Sequence, residues 1–483
     1  MSHASAELQL PPSQEKVLGW GMSVGGKAQV LRPNSIEQIQ QALAFAKTNQ
    51  LKVALRGAGC SYGDASCGNG KLVVDLSLYN RILHFSKDSG VIRVQAGARI
   101  RDIWHLTVSQ GWWPPVVSGT MEPTLGGALA MNIHGKNAYC VGPIGEHVRG
   151  IKVLTVAGEL RELTPEGDSE LFHAIIGGFG ELAVIVEVEL QLKHVYSGLL
   201  QVHSLVGDKL SQLFEIFEQW QHRSDYLVGW VDGFASGEQT GRGQVHVAHQ
   251  LKPGDDPQPD QTLALKNQEL PSRLFGVIPK SWMWLFLRPV AHNFGMRLLN
   301  IAKYYSAKLL AHDKFYRQSH AAFHFLLDYV PNWKFIYKPS GLIQHQCFVP
   351  KDKALQVFIQ ILQLEQQRGM PTWLAVLKRH RADNFLLTHG LDGYSLAQDF
   401  KVTAANRAKL WAMCHDIDQI VTAAGGRFYF AKDATLRPES FVAAMPLENI
   451  QKFAELRHAL DPDGLLATDL YDRTVAPALR AVQ

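Results

Sequence analysis

The chain has 483 residues, too many for one hydrophobic core, so two or three domains are expected. Charged residues make up 19%, hydrophobic residues 46%, and the net charge is +4, with no basic run interleaved with aromatics. This ordinary globular usage excludes a nucleic-acid-binding protein. Five cysteines without a C-x-x-C pair indicate free thiols and argue against a disulfide framework or a zinc site. No signal-peptide pattern and no run of about 18 apolar residues is present, so a cytoplasmic location is predicted.

The first predicted elements are a helix over Ser35–Thr48 and two strands, Lys52–Leu55 and Lys71–Leu76, that enclose the glycine-rich loop Arg56–Asp64. The dinucleotide fingerprint needs a helix directly after its glycines, and a strand follows here, so that fingerprint is excluded. A glycine-rich turn can still hold a diphosphate on its main-chain amides, because glycine adopts positive φ and lets an anion approach. From this loop alone, a diphosphate site and a tight turn without a ligand stand level.

Two more glycine-rich segments follow a predicted helix over Ile100–Gln110. Hydroxyl groups stand beside bare backbone at Ser118–Thr120 and Thr124–Gly127, which suits phosphate and ribityl oxygens, and the paired glycines can open a short helix. Gly177–Gly180 precedes a β-branched strand over Ala183–Leu190. Three such loops attached to strands are harder to explain as simple turns than one.

The order of these motifs resembles the PCMH-type FAD-binding module of the vanillyl-alcohol-oxidase flavoproteins. Within that superfamily the chain is most similar to the decaprenylphosphoryl-β-D-ribose 2′-oxidase branch. The strings that carry the resemblance are R-G-x-G-x-S-Y-G-D, G-T-x-x-x-T-x-G-G and I-H-G-K-N, followed by Gln344–Pro350, Gly425–Asp433 and Asp461–Asp469. The resemblance extends from about Val17 to Tyr471.

This resemblance implies an α+β fold with two domains. Residues 1–196 would form the FAD-binding domain, made of two α/β subdomains, and residues 197–424 a substrate or cap domain on an antiparallel sheet. Residues 425–483 would return to the FAD domain and the active site, with an amphipathic helix over Pro438–Ala459. Strands are predicted over Leu227–Val231 and Gln244–His249.

The resemblance also implies FAD, bound without a covalent bond because Cys60 stands where many relatives carry a tethering histidine. A small buried neighbour of the flavin is expected at Cys60 rather than a thioether donor. The residues assigned to FAD by resemblance are Arg56, Gly57, Ala58, Gly59, Cys60, Ser61, Tyr62, Gly63, Gly119, Thr120, Thr124, Leu125, Gly126, Gly127, Asn132, His134, Gly135, Val184 and Tyr429.

The resemblance assigns catalysis to Lys432, His134 and Tyr62, and substrate binding to Lys136, Gln344, Gln346, Lys378 and Lys432. Lys432 would assist removal of the hydroxyl proton, for which its pKa must be lowered by burial. Gln344 and Gln346 alternate on a strand and therefore face one side. The chain departs from its relatives at Ala397, where some of them carry a reactive cysteine. No metal site is predicted, because His320 and His324 have no third ligand nearby.

Two stretches of the middle part invite separate expectations. Lys252–Thr262 is predicted to be a mobile polar linker. Leu274–Lys308 contains adjacent Trp, Phe and Leu residues between Lys280 and Arg288, which suits a membrane surface, a lipid tail, or packing onto the cap domain. Packing is favoured, because large aromatic side chains are usually buried.

The sequence therefore predicts an FAD enzyme that oxidises a secondary alcohol of a sugar, such as a polyprenylphosphoryl pentose. Electrons would pass to a quinone, a dye-like acceptor or oxygen. The alternatives are an aldonolactone or sugar-alcohol oxidase, and a sterol-type C=C reductase. A different class is a non-catalytic flavin-binding subunit that serves a partner NAD(P)-dependent reductase.

Overall fold

The structure is a computed structural model that describes residues 13–274 and 278–482. The N-terminal stretch, for which no signal peptide is predicted, lies outside the described residues, as do residues 275–277. The strands of the described residues are β1 (Glu15–Leu18), β2 (Gly25–Leu31), β3 (Val53–Arg56), β4 (Leu72–Asp75), β5 (Ile82–Phe85), β6 (Val91–Gln95), β7 (Trp112–Trp113), β8 (Val148–Leu154), β9 (Leu160–Leu163), β10 (Val184–Gln191), β11 (Lys193–His194), β12 (Leu199–Gly207), β13 (Tyr226–Val231), β14 (Gly243–Gln250), β15 (Arg273–Leu274), β16 (Ile278–Pro279), β17 (Lys314–Ser319), β18 (Leu342–Pro350), β19 (Leu374–His380), β20 (Gly393–Lys401) and β21 (Arg427–Phe428).

The α-helices connect these strands and cover the sheets, and short 3₁₀ and π turns lie between them. They are α1 (Ile36–Thr48), α2 (Ile100–Thr107), α3 (Leu125–Ala130), α4 (Ala138–Val141), α5 (Ser169–Ile175), α6 (Leu210–Trp220), α7 (Pro259–Leu263), α8 (Leu265–Gln268), α9 (Met283–Leu287), α10 (Asn293–Ser306), α11 (His320–His324), α12 (Lys351–Gln367), α13 (Arg407–Ala423), α14 (Pro438–Ala444), α15 (Leu447–Leu460) and α16 (Ala476–Val482). None of the helices within the described ranges is both long and apolar enough to cross a bilayer.

Two sheets of four and five strands, and a two-stranded ribbon of β11 and β7, are built from the first part of the chain. One has the order β1-β2-β4-β3, with β4 parallel to both β2 and β3. The other is antiparallel with the order β5-β6-β10-β8-β9. The end of the chain returns to the first sheet, where the Val53 amide donates to Leu465 O at 2.8 Å and the Ala467 amide donates to Val53 O at 2.7 Å.

The middle of the chain forms one eight-stranded antiparallel sheet with the order β17-β12-β14-β13-β19-β20-β18-β21. Helices α6, α12 and α13 pack against it, and their buried residues join its core. This arrangement of helices and sheets confirms the predicted α+β fold.

Most predicted elements are confirmed to within two or three residues, but the helix over Pro438–Ala459 is wrong. It is two helices, α14 and α15, separated by Met445 and Pro446. Proline has no amide hydrogen and clashes with the preceding turn, so it begins the second helix and cannot continue the first.

The expectation of a free linker over Lys252–Thr262 is also wrong. The Asp256 carboxylate is buried and accepts hydrogen bonds from the Ser197 hydroxyl and, at 2.6 Å, from the Thr262 hydroxyl. The segment ends in α7, so its polar residues tie it to the start of β12.

The predicted packing of the segment over Leu274–Lys308 holds for one side of it only. Trp284 packs against a cluster that includes Tyr337, whereas Trp282 and Phe286 are 58% and 61% exposed. The segment therefore presents large apolar side chains to solvent, contrary to the expectation.

Candidate functional site

A cavity of about 610 Å³ lies where the glycine-rich loops meet the large sheet. This volume is in the usual range for cofactor and substrate pockets. The predicted site residues that line it are Arg56, Gly57, Ala58, Gly59, Cys60, Ser61, Tyr62, Gly119, Thr120, Thr124, Gly126, Gly127, His134, Lys136, Gln344, Gln346, Lys378, Tyr429 and Lys432.

Five predicted cofactor residues lie beside the cavity rather than in its lining: Gly63, Leu125, Asn132, Gly135 and Val184. Leu125 and Val184 are fully buried in hydrophobic clusters. Strand alternation explains Val184, since its neighbours Ala183 and Ile185 do line the cavity. The Asn132 side chain accepts a hydrogen bond from the Gly145 amide at 3.0 Å and thereby holds the backbone.

The loop after β3 turns a row of main-chain amides toward the cavity. Within the described part of the chain, no protein acceptor lies within hydrogen-bonding distance of the amides of residues 57–61. Gly59 has φ +65°, and the Arg56 guanidinium folds under it to donate to Ser66 O at 3.0 Å and Leu18 O at 3.2 Å. Arg56 therefore holds the loop in shape, while the free amides are available to an anion.

The second glycine-rich segment packs directly on the first. A Cβ at Gly57 would stand 2.1 Å from Thr124 Oγ1, and one at Gly126 would stand 2.7 Å from Ala96 Cβ. The Thr124 hydroxyl accepts from the Gly127 amide at 3.3 Å and caps α3. Glycine at positions 57 and 126 is thus required by close approach, and the two loops form one continuous cradle.

The C-terminal segment closes the site from the other side. The Tyr62 amide donates to Ala431 O at 2.9 Å, and Lys432 Nζ lies 3.6 Å from the centre of the Tyr62 ring. Burial lowers the pKa of Lys432 to about 7, partly offset by Asp399 and reinforced by Lys378. The lysine is therefore able to be neutral near neutral pH.

Asp399 is the buried carboxylate whose negative charge raises the pKa of Lys432. Burial raises the pKa of Asp399 to about 6, although Gln344 donates a hydrogen bond to one oxygen and lowers it. The second oxygen, Oδ2, is buried without a hydrogen-bond partner among the described residues. Gln344 thus both lines the cavity and orients this carboxylate.

His134 is held by a chain of buried polar side chains. Gln346 Nε2 lies 3.0 Å from His134 Nε2 and 3.3 Å from Ser395 Oγ, and His380 Nε2 lies 2.8 Å from the same hydroxyl. Burial lowers the pKa of His134 well below its ordinary value, with Lys378 adding to the effect. Because Gln346 donates to Nε2, the neutral ring carries its proton on Nδ1, which is buried and unpaired within the described structure.

Basic side chains dominate the polar lining of the cavity. Arg56, Lys136, Lys303, Lys378 and Lys432 line it, and none of the described lining residues is Asp or Glu. Burial lowers the pKa of Lys136 to about 7 and that of Lys378 to about 8. An anionic ligand would relieve the cost of burying these cations side by side.

Several lining residues were not assigned to the site from the sequence, namely Trp20, Trp230, His246, Lys303 and Trp333. Lys303 comes from α10 and lies 4.2 Å from the centre of the Trp230 ring. No local motif marks it. The alternation of β14 does place His246 and His249 on opposite faces, but only the fold shows that the face of His246 meets the cavity.

Comparisons with known proteins identify the cradle. Residues 27–164 match the family described as "FAD binding domain". The chain is 29% identical to decaprenylphosphoryl-beta-D-ribose oxidase of Mycolicibacterium smegmatis over 96% of this chain and 98% of that protein. The chain is an FAD-linked oxidoreductase.

More distant relatives of this FAD-linked oxidoreductase share parts of the chain. A putative D-arabinono-1,4-lactone oxidase of Neurospora crassa is 26% identical over 54% of this chain and 44% of that protein. D-2-hydroxyglutarate dehydrogenase of Xanthomonas citri pv. viticola is 28% identical over 48% of this chain and 52% of that protein.

The cofactor of this FAD-linked oxidoreductase is FAD, and the residues present fit it. The free amides of residues 57–61 suit a pyrophosphate, and the Nδ1–H of His134 lacks a protein acceptor in the described structure. Burial raises the pKa of Cys60 to about 12, so the thiol stays protonated beside the cradle. When bound, FAD supplies hydride acceptance at its N5 atom.

Proposed function

We propose that this enzyme oxidises a secondary alcohol of a sugar and that its substrate also carries a phosphate, as a polyprenylphosphoryl pentose does. The observation that supports the proposal most strongly is the basic lining of the cavity without a described carboxylate. The free amides of the cradle account for the cofactor's pyrophosphate, and this leaves Lys136, Lys303 and Lys378 without an anion.

The electrostatics of these lysines favour an anionic substrate over a neutral one. Lys378 lowers the pKa of both Lys136 and Lys432, which means that the three charges oppose one another. A phosphate diester bound between Lys136 and Lys378 would remove the repulsion of those two charges and hold both of them charged, while Lys432 stays available in its neutral form. A neutral lactone would leave the repulsion in place.

The chain's own residues then divide the work on the substrate. Lys432 accepts the proton of the reacting hydroxyl, because its neutral form is available near pH 7. The Tyr62 ring lies under Lys432 Nζ and excludes water from it. The hydrogen bond between His134 and Gln346 holds both side chains in place. Together they determine which face of the sugar is turned toward the cofactor.

Leu326, Leu327 and Val330 give the cavity an apolar side that suits an isoprenoid chain. The relative from Mycolicibacterium smegmatis, whose name specifies a decaprenylphosphoryl ribose, supports this substrate class. The relative from Neurospora crassa supports lactone oxidation as the second candidate.

Anaerobic bleaching of the flavin absorbance tests the proposal. We expect farnesylphosphoryl ribose to bleach the purified holoenzyme, and L-galactono-1,4-lactone and unphosphorylated ribosides to leave it yellow. Bleaching by the lactone alone would favour the second candidate and overturn the first. Absence of bleaching by every alcohol, with flavin bound, would indicate the non-catalytic flavin-binding subunit.

A pair of variants distinguishes a loss of phosphate recognition from a general loss of protein stability or activity. Lys378→Met should raise KM for the phosphoryl sugar at least about tenfold, because a charged hydrogen bond to phosphate is lost. Lys409→Met, at an exposed lysine of α13, is the matched control and should leave KM unchanged. An unchanged KM in Lys378→Met would remove this lysine from substrate binding.

A further inference from the structure

Helix α10 carries an apolar stripe on its exposed side. Phe294, Leu298, Tyr305 and Leu309 are 68%, 50%, 46% and 76% exposed, and the last lies in the π turn Ala307–Ala311 that continues the helix. Their spacings of four, seven and four residues place them on one helix face. The opposite face, which includes Tyr304, is buried. An amphipathic helix normally turns its apolar face inward, so the reversed orientation needs an explanation.

Neighbouring residues extend this stripe into an apolar patch. Trp282, Leu285 and Phe286 of the α9 region are exposed as well, and the 3₁₀ turn Arg288–Val290 joins α9 to α10. We name these residues and the stripe together the α9–α10 patch. Large exposed apolar patches mark surfaces that bind a partner or a membrane.

The charges around the α9–α10 patch are mostly positive, and the two carboxylates beside it, Asp208 and Asp313, are paired with Lys308 and His203. Between residues 278 and 318 the only acidic residue is Asp313, which accepts a hydrogen bond from His203 at 2.7 Å. Arg288, Arg297 and Lys314 are exposed, and the described residues provide no salt-bridge partner for them. A positive rim around apolar side chains complements an anionic lipid surface.

The α9–α10 patch is continuous with the substrate cavity. Leu287, the residue after Phe286, lines the cavity, and so does Leu326, which is itself 53% exposed. The patch therefore adjoins the apolar side of the cavity lining at Leu287. A molecule held in a lipid surface at the patch would stand next to the cavity.

We propose that the α9–α10 patch docks this enzyme on the surface of an anionic lipid bilayer, with α10 lying in the plane of the headgroups. A second copy of the chain is a poorer occupant. In a twofold interface the same patch meets itself, so the positive rim of one copy, with Arg288, Arg297 and Lys314, would face the positive rim of the other and repel it. The inference goes beyond the proposed function and does not depend on the identity of the substrate.

Co-sedimentation of the holoenzyme with vesicles tests the docking. We expect binding to vesicles of mixed phosphatidylcholine and phosphatidylglycerol, weaker binding to phosphatidylcholine alone, and loss of binding as salt is raised. The double variant Leu298→Asp with Leu309→Asp should lower the partition coefficient roughly tenfold or more for each leucine replaced. Both positions are exposed, so thermal melting should be unchanged.

The matched control replaces two exposed leucines elsewhere, Leu160→Asp with Leu447→Asp, and should bind like the wild type. Undiminished binding by the Leu298 and Leu309 double variant would overturn the inference, as would absence of binding to anionic vesicles. A dimer that this variant dissociates, in a protein that ignores vesicles, would assign the patch to self-association instead. The protein can bind vesicles even if no phosphoryl sugar bleaches the flavin. A negative result in the substrate test is therefore distinguishable from a negative result in the docking test.

Discussion

Lys432 offers the sharpest test of the proposed chemistry. Burial lowers its pKa to about 7, so the neutral form rises from about one-tenth at pH 6 to about nine-tenths at pH 8. If neutral Lys432 accepts the substrate proton, the rate of flavin bleaching should rise about tenfold over that interval. Activity is thus lost as pH falls through 7, because protonation removes the base.

Lys432→Ala should keep its yellow colour, because the amides of residues 57–61 do not depend on this side chain. Loss of a positioned general base lowers a rate about 10²- to 10⁴-fold, or about 3–5 kcal/mol of barrier. Anaerobic stopped-flow bleaching measures both the rate and its pH profile, with Lys409→Ala as the control. Wild-type rates in Lys432→Ala, or a variant that keeps the rising limb near pH 7, would refute the assignment.

Two further predictions concern the cofactor cradle and the stability of the large sheet. Gly57→Ala places a Cβ 2.1 Å from Thr124 Oγ1 and should weaken FAD binding about 5- to 150-fold by fluorescence titration, whereas Gly150→Ala, whose nearest atom is 3.5 Å away, should not. Burial opposes the imidazolium of His345, but the hydrogen bond from its Nε2 to Asp418 at 2.8 Å outweighs burial, and Cys347 adds to the effect, so the pKa of His345 is raised to about 10. Asp418→Asn should therefore cost about 3–5 kcal/mol below pH 6.5, and the difference in melting temperature should narrow as pH rises toward 10. If the melting temperatures of the wild type and Asp418→Asn depended equally on pH, the His345–Asp418 pair would not be the source of the stabilisation.

The glycine loops were predictable because local chemistry determines them. Positive φ at Gly59 follows from the residue type and from the strands on either side, whereas the close approach of Gly57 to Thr124 depends on the fold. Val184 shows the limit of a motif assignment. The resemblance placed it in the site, yet the period of two along β10 sends its side chain into the core.

Long-range contacts account for what the sequence could not predict. The tie between Asp256 and Ser197 joins residues far apart in the chain, so the segment between β14 and α7 looked like a linker. Lys303 enters the cavity from α10, and no spacing connects that helix with the glycine loops. The break at Pro446 was available from the sequence, since proline rarely continues a helix.

The site is assembled from distant segments, and main-chain hydrogen bonds join them. The Tyr62 amide binds Ala431 O at 2.9 Å, the Tyr429 amide binds Gln346 O at 3.1 Å, and the Leu227 amide binds Lys136 O at 2.8 Å. Replacing a side chain leaves these bonds intact, so the positions of the remaining groups should change little. A kinetic defect in Lys432→Ala can therefore be attributed to the missing amine, which would not hold if side chains alone held the segments together.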